Sequence, residues 1–182
     1  MRTSLSLLAL LTIGALAPAS AQTKGFVLSS PDIKTGTIAL PQVFNSFGCT
    51  GGNVSPQLVW SGAPQGTKSF VLTMFDPDAP TGSGFWHWVV ANIPPATTGI
   101  PAGASRTPKM PAGALESRTD FGAPGYGGPC PPPGPAHRYV FTLFALKVDT
   151  IDVTADSSGA LVGFNTRANS LGTATFTAKY GR

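Results

Sequence analysis

The chain has 182 residues, enough for one sizeable domain, and is 42% hydrophobic with only 11% charged residues. Its formal net charge of +4 is scattered along the sequence, too weak and too dispersed to support nucleic-acid binding, so no nucleic-acid partner is expected. Gly 22 and Pro 18 beside that apolar fraction point to many turns around short strands and away from disorder.

The chain opens on MRTSLSLLALLTIGALAPASAQ, in which Arg2 precedes an apolar run from Leu5 to Ala17 and the small residues Ala19-Ser20-Ala21 precede Gln22. This pattern is that of a secretory signal cleaved after Ala21. The run is interrupted by Thr12, Gly14 and Pro18 and is shorter than the roughly 18 apolar residues of a membrane span. Residues 1–21 are therefore expected to be a signal peptide and 22–182 a single domain, exported to the periplasm or secreted, with no membrane span.

In chain order, the strand-like segments are KSFVLTMF (68–75), FWHWVVANI (85–93), RYVFTLFALKV (138–148) and TATFTAKY (173–180). The first three are β-branched and aromatic. The last alternates Ala174, Phe176, Ala178 and Tyr180 against threonines and Lys179, the period of a half-buried strand. One helix is expected over 157–171, after a serine cap, with Leu161, Val162, Phe164 and Ala168 as its apolar stripe. Irregular turn clusters rather than regular helices separate the strands, so a mainly antiparallel β-sandwich with one or two short helices is expected.

DPDAP (76–80) sets Asp76 at a strand end, in a turn stiffened by two prolines; one of its peptide bonds is a candidate for the cis form. The plain reading is a turn whose aspartates bond local amides. His87 lies within the following strand, where alternation groups Phe85, His87 and Val89 on one face and Trp86, Trp88 and Val90 on the other. The same parity aligns His137, Tyr139, Phe141 and Leu143. Both histidines of the chain and the Asp76/Asp78 pair thus stand at strand edges beside proline-rich loops. GYGGPCPPPGPAHRY (125–139) can propagate neither a helix nor a central strand, yet its Tyr126, Cys130, His137 and Tyr139 are not linker residues. It reads as the wall of a site.

Cys49 and Cys130 are the only cysteines. An even pair in an exported chain points to a disulfide, with two separate thiols as the alternative. Cys130 with His137 as a base is conceivable as a nucleophile, but Cys130 stands among prolines instead of at a helix N-terminus. The chain contains no HExxH, CxxC or GxSxG pattern, so no metal, no cofactor and no enzymatic activity are expected.

DPDAPTGSGFWHWVVANIP (76–94) and DFGAPGYGGPCPPPGPAHRYVFTLFAL (120–146) resemble the two signature regions of the phosphatidylethanolamine-binding protein family, in its bacterial Raf-kinase-inhibitor-like (YbhB/YbcL) branch. FGCTGGNVSPQLVW (47–60) is similar to the segment before the first signature. The resemblance implies a sandwich of a large and a smaller sheet, with a pocket for a phosphoryl headgroup or similar anion. By motif it assigns Asp76, Asp78, His87, His137 and Tyr139 to ligand binding, and Gly128 and Pro129 to the pocket wall beside Cys130. The expected function is therefore binding of a small anionic or phosphoryl ligand, with Trp86 or Trp88 as further walls. The alternative is inhibition or modulation of a protein partner, kinase, protease or host signalling protein, through the pocket rim.

Overall fold

The computed structural model describes residues 25–182. The expected signal peptide lies outside the described residues. A three-stranded sheet contains β1 (Val27–Ser29), β2 (Leu58–Ser61) and β5 (Gly99–Ile100) in the order β1-β2-β5. The larger sheet contains β3 (Ser69–Asp76), β4 (Phe85–Ile93), β6 (Leu115–Glu116), β7 (His137–Leu146) and β8 (Ser170–Tyr180), in the order β6-β4-β3-β7-β8. All these pairings are antiparallel. The expected antiparallel sandwich of a large and a small sheet is thus the observed architecture.

β3 sits at the centre and is buried on both faces, which is why SFVLTMFD is mostly apolar without a period-two alternation, its Thr73 buried with the rest. Phe70, Leu72 and Met74 face the small sheet and pack with Phe26, Trp60 and Phe141. Val71 faces outward and packs with Val89, Leu146 and Val162. Val162 belongs to α1 (Gly159–Asn169), the one α-helix among the described residues, which covers the outer face of the large sheet. Ser158 caps it, its hydroxyl accepting from the Leu161 amide at 3.2 Å.

The expected apolar stripe of α1 is corrected by the structure. Its buried positions are Gly159, Val162 and Thr166, whereas Leu161 and Phe164 are exposed. A spacing of three and then four residues defines the inner face, and it carries a glycine, one branched apolar side chain and one polar side chain in place of a hydrophobic ridge. Every peptide bond among the described residues, including those of DPDAP, is trans.

Antiparallel pairing brings the end of β3 and the starts of β4 and β7 to the same end of the large sheet. Asp76 pairs with Phe85, and Phe75 pairs with both Trp86 and Val140. Three segments therefore converge there: β3 and β4 through a short turn, and β7 through the long connection from Ile93 to His137 that carries β5 and β6.

Candidate functional site

Asp76, His87, His137 and Tyr139 line one cavity of about 130 Å³ at that end of the sheet. Three aromatic rings, Phe47, Phe85 and Phe121, form its apolar sides, and Cys130 and Pro131 close it from the proline-rich loop. His87 reaches the cavity through a β-bulge. Met74 pairs with Trp88 and Phe75 with Trp86, so β4 carries one extra residue, His87, against the β3 ladder. Strict alternation, which grouped His87 with Val89, fails here. Val89 packs outward beneath α1, while Trp88 and His87 both turn toward the inner side.

The His87 ring is fixed from two directions. Its Nδ1 donates to the Gly127 carbonyl at 2.8 Å, and the Gly127 amide donates back to the His87 carbonyl at 2.9 Å. Phe85, Phe121 and Tyr139 surround the ring with centroids at 5.1, 5.4 and 5.1 Å. Burial pushes its pKa below the ordinary imidazole value, against the weaker opposing pull of the Gly127 carbonyl and the Asp76 charge. The folded state thus resists protonation of His87 more than the unfolded chain does, and in the neutral ring Nε2, the nitrogen left over, is an acceptor available to the cavity. Because the unfolded chain takes the proton more readily, stability owed to this group falls as pH drops below about 6.5.

Asp76 is 3% exposed and uses both oxygens. Oδ1 accepts from the Asp78 amide at 2.8 Å, the local turn bond, and Oδ2 accepts from His137 Nδ1 at 2.8 Å. The carboxylate orients the His137 imidazole and leaves its Nε2 as a donor when both ring nitrogens carry protons. Tyr139 supplies a buried hydroxyl with no hydrogen-bond partner among the described residues. Burial pushes the phenol pKa upward, so it stays a neutral donor. The chemistry inside the cavity is one fixed acceptor, one conditional donor and one unused hydroxyl.

The other residues assigned from sequence lie elsewhere. Asp78 does not line the cavity; it receives the Arg138 guanidinium at 2.6 and 2.9 Å and the Arg138 amide at 2.8 Å, which hold its carboxyl at about 2. It secures the aspartate turn to the start of β7. Trp88 is fully buried, its Nε1 donating to Glu116 at 2.8 Å, and Trp86 packs at a tilt against Phe75 on the opposite face, so neither forms a wall.

Gly128 and Pro129 form the backing of the wall. The Gly128 amide donates to Asn53 Oδ1 at 2.8 Å, and the Pro129 carbonyl accepts from the Phe44 amide at 3.1 Å. A Cβ on Gly128 would lie 2.1 Å from the Gln42 carbonyl oxygen and 2.6 Å from the Phe44 nitrogen. Gly128→Ala is therefore expected to lower stability by about 1–3 kcal/mol through backbone overpacking, read as an earlier midpoint in urea.

Cys49 and Cys130 are joined, with their Cα atoms 6.0 Å apart, so the disulfide is the alternative the structure adopts. The bond ties the loop bearing Phe47 to the proline-rich wall. Arg182 spans the same gap, donating to the carbonyls of Gly48 at 3.1 Å and Pro131 at 2.7 Å. Sequence reasoning missed Phe47 and Phe121 because lone aromatics in glycine-rich turns have no periodicity. The signal available was an aromatic beside glycine in both FGCTGG and DFGAPG.

Fold and cavity together define a two-sheet β-sandwich with a polar-floored pocket at the end of its large sheet. Residues 29–181 match the family model Phosphatidylethanolamine-binding protein, and the chain belongs to that family. Membership supports a ligand-binding role. The chain is similar to YbcL of Escherichia coli K12, at 51% identity over 173 residues covering 93% of this chain and 94% of that protein. YbhB of the same organism is 52% identical over 156 residues, covering 84% of this chain and 98% of YbhB. The crystal structure of E. coli YbcL superposes with a TM-score of 0.84 at 52% identity, over 86% of this chain and 98% of that one. A putative phosphatidylethanolamine-binding protein homologue from Chlamydia trachomatis gives 0.74 at 27% identity, over 88% and 99%. Among the described residues no helix is long and apolar enough to cross a membrane.

Proposed function

We propose that this chain is an exported, non-catalytic binder of a small phosphoryl or carboxylic ligand, held in its partly protonated form between His87, His137 and Tyr139. The observation that carries this is the fixed tautomer of His87. With Nδ1 bound to the Gly127 carbonyl at 2.8 Å, the ring can only accept a hydrogen bond at Nε2 while neutral. A phosphomonoester monoanion has the P–OH that this acceptor needs and charged oxygens for His137 and Tyr139. Its dianion has no such proton and meets the Asp76 charge as well. Against catalysis stands the disulfide, which removes Cys130 as a thiolate nucleophile. The leader-like run and the cystine, a bond that persists in oxidising compartments, support export.

Calorimetric titration with phosphoethanolamine tests the reading. Because the second ionisation of a phosphomonoester lies near pH 6, affinity should be highest at about pH 5.5–6 and fall by tenfold or more by pH 8. A phosphodiester, which carries charge but no P–OH, should bind at least tenfold more weakly at pH 6. Equal affinity for the two, or a flat pH profile, would overturn the assignment.

Modulation of a protein partner through the rim is favoured by one feature, Phe47, which is 67% exposed at the edge of the pocket. A partner captured from the native envelope and released by Phe47→Ser, but not by phosphoethanolamine, would support that second reading.

A further inference from the structure

A second cavity, of about 360 Å³, lies beyond Phe121, whose ring lines both. The two differ in charge. The first has Asp76 in its wall; the second has Arg106 with Asn45 and Asn53, and no carboxylate.

Arg106 is solvent-accessible but well anchored. Its backbone takes the left-handed conformation, φ 58°, and its amide donates to Glu116 Oε2 at 2.7 Å. Glu116 is itself held by Trp88 Nε1 at 2.8 Å and by the Ser105 hydroxyl at 2.6 Å. One arm of the guanidinium, Nη2, donates to the Tyr126 carbonyl at 2.7 Å. The stem lies on bare backbone at Gly125, where a Cβ would come within 2.5–2.8 Å of Arg106 Nε, Cδ and Cγ. Nε and Nη1 make no hydrogen bond to the protein among the described residues. Asn53 behaves similarly: left-handed at φ 51°, it spends Oδ1 on the Gly128 amide, and its NH₂ has no protein partner among the described residues.

A guanidinium anchored through one arm with its remaining donors free, beside a carboxamide whose oxygen is already engaged, offers donors and positive charge without a competing acceptor. We propose that this cavity is a second binding site, for a fully ionised carboxylate or phosphate, with Arg106 as its charged anchor and Asn53 as a neutral donor. It is a separate cavity that shares the Phe121 ring and the Gly127 peptide with the histidine pocket and, unlike that pocket, keeps its affinity when the ligand loses its last proton.

The test is a titration of the isotope-labelled full chain with inorganic phosphate, and separately acetate, at pH 8, followed by amide and arginine Nε–H resonances. Phosphate should shift the Gly125 and Tyr126 amides and the Arg106 Nε–H signal with one common affinity. Arg106→Gln should weaken that affinity at least tenfold, whereas His137→Gln should leave it within twofold. If Arg106→Gln does not fold, the Arg106 Nε–H signal of the unaltered chain decides, and its failure to move overturns the proposal. So does an unchanged affinity in a folded Arg106→Gln variant, or loss of the Gly125 shifts in His137→Gln. Acetate acting alone narrows the ligand to carboxylates, and phosphate acting alone narrows it to phosphates. Failure of the histidine pocket would appear instead at pH 6, as an absent response at His87 and His137.

Discussion

Replacing Cys49 and Cys130 together by alanine is expected to lower the free energy of unfolding by about 2–4 kcal/mol. The bond links positions 81 residues apart, so without it the unfolded chain regains the freedom of a long loop. The native state loses less. Arg182 still donates to the Gly48 and Pro131 carbonyls, and the Pro129 carbonyl still accepts the Phe44 amide. The expected phenotype is thus a lower urea midpoint with a cavity that still binds phosphoethanolamine, weakened by a few-fold as Phe47 loosens. The comparison is equilibrium unfolding of the double alanine variant against the oxidised parent. An unchanged midpoint would mean that the denatured chain is already held together around these loops by other contacts.

The largest effect on binding is expected at the Asp76–His137 pair. Asp76 sits at 3% exposure with one oxygen 2.8 Å from His137 Nδ1, so the carboxylate's charge reaches the ligand mainly through the imidazole it orients. Loss of a charge-assisted hydrogen bond is worth about 1.5–3 kcal/mol. Asp76→Asn and His137→Gln should therefore each weaken phosphoethanolamine binding at pH 6 by roughly 10- to 100-fold. The double variant should be no worse than the weaker single one, since the pair acts as a unit. Additive losses would show that the two side chains contact the ligand independently. Tighter binding in Asp76→Asn would show that repulsion by the carboxylate outweighs its orienting role.

Much of this site was legible in the sequence because its parts sit at strand ends. FWHWVVANI coincides with β4, and the face of β7 that carries His137 and Tyr139 follows simple parity into Phe141 and Leu143, both fully buried. The proline-rich segment that begins at Gly125 was recognisable as a wall because its aromatic and cysteine content did not suit a linker. Tyr126 proves to be buried there, its hydroxyl donating to the Gln42 carbonyl at 2.8 Å.

What was hidden has physical causes. The bulge at His87 leaves no mark on hydrophobic periodicity, so parity put Val89 on the face of His87 and Trp88 on the opposite one, the reverse of where they pack. Asp78 and Asp76 are the same residue type two positions apart, and only the tertiary approach of Arg138 separates a structural carboxylate from one in the cavity. β1, β5 and β6 have two or three residues each, too few for a periodic signal, and exist because longer strands give them an edge to pair with. Arg106 carried no motif at all. Its importance rests on a left-handed backbone and a glycine nineteen positions later, a relation only the folded chain creates.

The most direct measurement is nitrogen NMR of the two imidazole rings, titrated with phosphoethanolamine at pH 6. The expected result is that His87 keeps a protonated Nδ1 and an unprotonated Nε2 whose signal moves on binding as it accepts the ligand's proton, while His137 binds with both nitrogens protonated. A doubly protonated His87, or an Nε2 signal that does not move at saturating ligand, would contradict the proposed mode of binding.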